Sequence, residues 1–438
     1  MTSNRQFSKG HKAETLTRAL LAPPSERDAA FRAIELNQPR SAKLVNPRAG
    51  NLPVHPAVAA LPPYPADDSA TTAAELVQCA LAAVHADAPL AELPARIRAY
   101  GNPLDGLADV LNAPTDPDSV FRFTRQGNTN AGPMISQFLL RPFEAGSLLI
   151  DHKHRQDLGL YGYSPAAVRG LLDGVPIETQ VTGSRPGYIY SLRMLASAMR
   201  RDPPYLYGLH ALMLLDSMGV PRSTLAPALP AEAMFVWGLG QLDLQCLMVE
   251  AVRHAMSICW QQKWQAGRDR RPRPEELLAT PERLHPIWAE RGAPLLERHG
   301  LGPHLPLLSA AGAPPHPSDV SGHSVVGGAI GTVVKAGYAD MPWPMQMLAA
   351  NSIGTDLVPV RAVRPRVHSE ADKLAENFGW GRVVGGLHYA SDVWRGMTLG
   401  EAAAVEVLQR AKANAEAMGM EPWGEVTFRG FFGKTHTI

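Results

Sequence analysis

Apolar positions recur at helical spacing along most of this chain. Between Gly240 and Trp264, Leu247, Ala251, Ala255, Cys259 and Lys263 step by four, and so do Met248, Val252, Met256 and Trp260. Residues four apart share a helix face, so the stretch predicts one long helix with a broad buried stripe ending on a lysine. The same periodicity predicts helices over Ala73–Ala86, with Ser69, Thr71 and Thr72 as candidate caps, and over Ala166–Leu172, Tyr188–Met199 and Tyr205–Met218. Further on it predicts a short helical piece near Glu282–Gly292, then helices over Gly322–Gly337, Met341–Ser352 and Gly400–Met418. Strand alternation is scarce, so the fold class is mostly helical.

The organisation follows from where this periodicity fails. Residues 1–68 are rich in Pro, Ala and charge and read as an extended arm laid over the body or over a neighbouring subunit. A helical half follows over 69–225, and a second over 226–438. Inside the second half, Pro-rich irregular chain runs from Trp264 to Ser321. A connection that long in a compact domain is usually a functional loop.

Length and composition narrow the classes. The chain has 438 residues, 45% of them hydrophobic, enough for a sizeable core. Its 42 basic and 41 acidic side chains leave a net charge of +1, against a general nucleic-acid or acidic-membrane binder, whose affinity comes from a basic surplus. Cys79, Cys246 and Cys259 lack the paired spacing of a zinc or redox motif and read as small buried apolar residues. No uncharged apolar run of membrane or signal-peptide length stands out, so the default expectation is a cytoplasmic protein, with export left open.

The chemistry gathers at the far end of the Pro-rich loop, in His316-Pro317-Ser318-Asp319-Val320-Ser321-Gly322-His323. Ser321, the Gly322 N–H and His323 fall at a predicted helix N-terminus, where unpaired amides and the positive end of the dipole favour an anion. The plainer reading is a Ser N-cap beside a histidine. Lys263 is costly at the end of a buried stripe unless it meets an anion or snorkels to solvent. Asp392 stands four after His388, so its carboxylate can fix the imidazole tautomer, or the two make a structural pair. Arg382 precedes His388 by six, across a Gly pair. Lys263, an arginine of the 268–273 run and Arg382 add three cations to two histidines and two neutral donors. A bound tetrahedral oxyanion would balance that charge.

In these motifs the chain resembles the vanadium-dependent haloperoxidases, which share a site with bacterial acid phosphatases and phosphatidic acid phosphatases. The family pattern is a lysine, then Arg-Pro, then Ser-Gly-His, then an arginine with a histidine six later and an aspartate four after that. Ser321-Gly322-His323, Arg382, His388 and Asp392 match it, and Trp260-Gln261-Gln262-Lys263-Trp264 and His316 are similar to the bromoperoxidase branch. Two arginines compete for one place. Arg271 has the eight-residue step from Lys263, and Arg273-Pro274-Glu275 also looks like the branch's Arg-Pro-Glu; spacing favours Arg271. Asp319-Val320 replaces the usual Tyr-Pro and puts a carboxylate beside the anion motif.

The resemblance implies a nearly all-α body of two antiparallel four-helix bundles, with Lys263, Arg271, Ser321, Gly322 and Arg382 holding vanadate and His388 bound to the metal. It implies His323 as acid/base, Lys263 as polarising group, Asp392 as orienter of His388 and His316 as a tuning residue or a plain core histidine. The implied reactants are hydrogen peroxide, a halide (bromide or iodide) and a small organic substrate, in a homo-oligomer. One alternative is an acid phosphatase with His388 as nucleophile and His323 as leaving-group acid. Another is a non-catalytic scaffold with a structural oxyanion site.

Overall fold

A computed structural model describes residues 53–122, 132–161, 183, 185–200, 205–223, 241–264, 271–302, 305–308, 316–361, 364–417 and 424–438. In the first half the helices are α1 (Pro56–Ala60), α2 (Ala70–Val84), α3 (Leu93–Tyr100), α4 (Ala108–Leu111), α5 (Leu192–Ala198) and α6 (Leu206–Ser217). In the second they are α7 (Gln241–Trp264), α8 (Pro274–Leu277), α9 (Ala293–Arg298), α10 (Gly322–Gly337), α11 (Val367–Val383) and α12 (Ala390–Ala417). Three antiparallel hairpins join them: β1 (Phe143–Ala145) with β2 (Leu148–Ile150), β3 (Leu348–Ala350) with β4 (Leu357–Pro359), and β5 (Thr427–Arg429) with β6 (Thr435–Thr437).

The mostly helical expectation holds. The predicted helix over Met341–Ser352 does not form: Pro342 and Pro344 disfavour helical backbone at Met341 and Trp343 before them, and Leu348–Ala350 pairs with Leu357–Pro359 instead. The last long helix starts at Ala390, ten residues before the predicted Gly400, because Ala390-Ser391-Asp392 already forms its first turn. The predicted helix over Ala166–Leu172, the boundary at 225 and most of the N-terminal arm lie outside the described residues.

Helices α7, α10, α11 and α12 form a four-helix bundle around α10, and helices of the first half lean on it, α5 against α11 and α6 against α7 and α10. α10 is rich in Gly and Val, weak helix formers, so its stability comes from burial on nearly all sides. Its glycines let backbones touch: a Cβ on Gly328 would lie 2.4 Å from the Met397 carbonyl oxygen, and one on Gly400 2.0 Å from that of Val325. Gly327 faces Ala375 while Gly331 faces Ala371, so α10 and α11 run antiparallel.

The described end of the arm lies on α7 and α12 of its own chain. The His55 amide donates to Gln261 Oε1 at 2.9 Å, and Glu406 Oε2 meets both His55 Nε2 at 2.7 Å and His254 Nε2 at 3.1 Å. Because His55 Nδ1 accepts from the Ala57 amide, its Nε2 carries the proton and donates to Glu406. Among the described residues no helix is long and apolar enough to cross a membrane.

Candidate active site

The loop 316–321 and the ends of α7, α10, α11 and α12 meet in one place. Ser321 caps α10, its Oγ accepting from the Ser324 amide at 3.3 Å, and its own amide donates to the Asp392 carbonyl at 3.1 Å. One residue thus ties the start of α10 to the start of α12. Gly322 and His323 open α10, and His323 keeps partial exposure.

Lys263, at the end of α7, is buried and reaches under the loop. Its Nζ donates to the Pro317 carbonyl at 2.6 Å and the Ser318 carbonyl at 3.2 Å. Burial, with the Arg273 charge beside it, pushes its ammonium down to about 8. The snorkelling alternative is thereby excluded, since the side chain runs inward. Arg382, in the last turn of α11, is buried too, and its NH1 donates to the Met199 carbonyl at 3.0 Å.

Two arginines separated by one residue have opposite surroundings. The Arg271 guanidinium is held between two carboxylates, donating to Asp392 Oδ1 at 2.8 Å and to Glu75 Oε2 at 2.8 Å. Arg273 donates through Nε to the His316 carbonyl at 3.1 Å, through NH1 to the Leu387 carbonyl at 2.7 Å, and through NH2 to His316 Nδ1 at 2.9 Å. Its charge bears directly on Lys263, His316 and His388. The eight-residue step that favoured Arg271 is corrected accordingly. Arg271 faces Glu75 and Asp392, whereas Arg273 stands with Lys263 and the two histidines.

His388 sits in the turn between α11 and α12, which Gly386 permits by adopting φ of +78°. Its Nδ1 meets Asp392 Oδ2 at 3.1 Å, and Ser318 Oγ donates to the same oxygen at 2.5 Å. Burial pushes Asp392 up, but the Arg271 charge and the bonds from His388 and Ser318 outweigh it and hold the carboxyl well below its usual range. Burial first, then the Arg273 and Lys263 charges, push His388 well below its ordinary value despite Asp392. A neutral ring beside an ionised carboxylate carries its proton on Nδ1, so the Nε2 lone pair is available.

His316 is likewise held neutral by burial and by Lys263 and Arg273, and its ring packs edge-on to Trp260 with centroids 5.5 Å apart. His316 Nδ1 lies 2.9 Å from Arg273 NH2 and 3.0 Å from the Pro317 carbonyl oxygen, contacts that call for opposite tautomers of the ring. Asp319, suspected from the sequence of facing the anion, is taken by the Arg395 guanidinium and Gln262 Nε2.

Sequence reasoning missed Ser318, Glu75, Arg395 and Gln262. Only the Arg-Pro-Glu likeness at 273–275 pointed to the arginine that stands beside His316 and Lys263.

What this defines first is a class: a helical-bundle protein with buried cations gathered beside a histidine that presents a lone pair. The chemistry of the donor set fits vanadate, whose oxygens suit Lys263, Arg273 and amide donors and whose metal suits an imidazole nitrogen. Residues 244–417 match the VCPO second helical-bundle domain. The vanadium-dependent bromoperoxidase of Corallina pilulifera is 28% identical over 276 residues, 55% of this chain, and the match spans 46% of that relative's length. That of Ascophyllum nodosum is 26% identical over 423 residues, covering 85% of this chain and 73% of the relative. Among solved structures, the homohexameric second vanadate-dependent bromoperoxidase (AnII) of Ascophyllum nodosum superposes with a TM-score of 0.78 at 21% identity, over 95% of this chain and 82% of that one. In sequence the chain is thus similar to vanadium-dependent bromoperoxidases, and it shares the fold of the AnII structure.

Proposed function

We propose that the protein is a vanadate-dependent haloperoxidase that uses hydrogen peroxide to oxidise bromide or iodide to the hypohalous acid or its equivalent, which halogenates small organic substrates. The observation that carries this reading is the meeting of two buried cations, Lys263 and Arg273, with a neutral His388 whose Nδ1 is committed to Asp392. In this reading Lys263, Arg273 and Arg382 balance the charge of vanadate, Ser321 and the Gly322 amide donate to its oxygens, and His388 Nε2 binds the metal. Bound vanadate supplies Lewis-acid activation of hydrogen peroxide without a change of oxidation state.

The chain's own groups manage protons and charge. Oxidation of one halide by one peroxide consumes one proton, and His323, partly exposed at the positive end of α10, can take protons from solvent and deliver them. Lys263, poised near neutrality by burial, concentrates positive charge where negative charge develops on the departing oxygen. His316, held neutral against Trp260, stands beside Arg273 and within the field of Lys263. The relative AnII is homohexameric. Self-association of this chain belongs to the same proposal, and a solution mass at a multiple of 47.3 kDa would support it.

The test is bromination of a phenol dye by vanadate-loaded protein with peroxide and bromide, repeated with iodide and chloride. Halide- and vanadate-dependent turnover that survives azide and disappears in His388→Ala is the expected result. Turnover of a phosphate ester without peroxide, and no halide oxidation, would establish the phosphatase instead. Vanadate uptake with neither activity would leave a binding scaffold.

A further inference from the structure

Arg271 is the middle of a buried chain of groups that begins in the first half of the molecule and ends on His388. Glu75 of α2 accepts from Arg271 NH2 at Oε2, 2.8 Å, and Arg271 NH1 donates to Asp392 Oδ1 at 2.8 Å. The other oxygen of Asp392 meets His388 Nδ1. Glu75 also accepts from the Ser391 amide at 2.5 Å and the Ser391 hydroxyl at 2.9 Å, and Arg271 NH1 donates to the same hydroxyl at 2.6 Å. Exposure is 3% at Glu75, 1% at Arg271 and 0% at Asp392, so these charges interact with little screening.

One turn further along α2, the Cys79 thiol donates to the His388 carbonyl oxygen at 3.6 Å. Glu75 and Cys79 therefore grip both ends of the segment 388–392 from one helix face. Burial raises the Glu75 carboxyl above its ordinary value against the pull of Arg271 and Ser391. Three donors nonetheless converge on its oxygens, the arrangement that suits a carboxylate acceptor.

The sign of the charges shows what the chain does. Arg271 NH1 occupies Asp392 Oδ1 and leaves Oδ2 to accept from His388 Nδ1. Without Glu75, the Arg271 charge would fall on Asp392 alone and weaken the negative field that makes the imidazole a good ligand. Glu75 restores it, and its two Ser391 bonds fix the helical turn on which Asp392 rides. Carboxylates at a helix start are favourable for the same electrostatic reason.

We propose that Glu75 is a positioning residue for His388, acting through Arg271 and Ser391 on the Asp392 carboxylate and so on the lone pair offered at Nε2. This rests on the vanadate reading above. Partners one step removed from a metal ligand typically change metal affinity by about 10- to 100-fold.

The experiment measures vanadate dissociation constants on the full chain by equilibrium dialysis, with the vanadium NMR resonance of the bound anion and the thermal midpoint alongside. Glu75→Gln keeps the side chain's size and removes its charge. It is expected to raise the dissociation constant roughly 10- to 100-fold and shift the bound resonance. Pairing it with Arg271→Met, which removes the unbalanced cation, should recover part of that loss. If Glu75→Gln does not fold, Ser391→Ala carries the same readout, with an expected rise of about threefold or more from the lost hydrogen bonds. A folded Glu75→Gln that binds vanadate with wild-type affinity and an unshifted resonance would overturn the positioning role alone. Failure of the wild type to take up vanadate would overturn the haloperoxidase reading itself.

Discussion

Arg395 holds Asp319 with a bidentate grip, Nε to Oδ1 at 2.6 Å and NH2 to Oδ2 at 3.0 Å, and both side chains are buried. The pair explains how a carboxylate is tolerated two residues before Ser321. Its charge is answered by α12, and Gln262 on α7 adds a third bond at 2.7 Å.

Breaking that grip should cost more than replacing it. Arg395→Met leaves a buried carboxylate unanswered and is expected to lower stability by about 3–5 kcal/mol, whereas Arg395→Met with Asp319→Asn should regain most of the loss. Urea unfolding of the two variants and the wild type reads this directly. Additive losses in the double variant would mean that the two residues do not act as a pair.

The two arginines of the loop differ in a way that binding can show. Arg273→Gln removes a buried cation beside Lys263 and His388, and should weaken vanadate binding by roughly 10- to 100-fold, the worth of a charge-assisted hydrogen bond of about 1.5–3 kcal/mol. Equilibrium dialysis measures it. Unchanged affinity would remove Arg273 from the site and reopen the spacing-based choice of Arg271.

That choice marks the limit of what the sequence could tell. Ser321 and the His388–Asp392 pair were legible because each is local: a cap acts on an amide three residues on, and a carboxylate four residues on can reach a ring. Long helices such as α7 and α10 were legible because burial leaves a periodic trace. The role of Arg271 is decided by Glu75, 196 positions away, and that of Asp319 by Arg395, 76 positions away. Such partners leave no periodic signal. The failed helix at Met341–Ser352 is a different case, since Pro342 and Pro344 were visible and outweigh the apolar spacing around them.

Acid should loosen the C-terminal hairpin through one carboxylate. Glu401 on α12 accepts from His436 Nε2 at 2.9 Å and from the Phe431 amide at 2.8 Å. Burial pushes its carboxyl up, but His436, Lys335 and the Phe431 amide together hold it below its ordinary 4.5. A depressed folded value means that the contribution is fully present above about pH 4.5 and is lost as pH falls through the folded value. The stability difference between wild type and Glu401→Gln, measured by urea unfolding, should therefore shrink on acidification from about pH 6 to pH 3. A difference independent of pH would show that Glu401 stabilises by packing alone.

Gly400 offers a test of how tightly the site's scaffold is built. On an exposed helix, Gly→Ala adds about 1 kcal/mol of stability by propensity. Here the new Cβ would stand 2.0 Å from the Val325 oxygen and 2.7 Å from the Ala329 nitrogen, both backbone atoms that cannot rotate aside. Helices α10 and α12 would have to separate, and overpacking of this kind costs about 1–3 kcal/mol or more, so the steric effect wins. Since Ser321 at the head of α10 is bonded to the Asp392 carbonyl at the head of α12, the separation should also pull the Gly322 amide away from His388. Gly400→Ala is expected to unfold at lower urea and to bind vanadate more weakly than wild type. A variant at least as stable as wild type, with unchanged affinity, would show that the two helices do not hold the site in register.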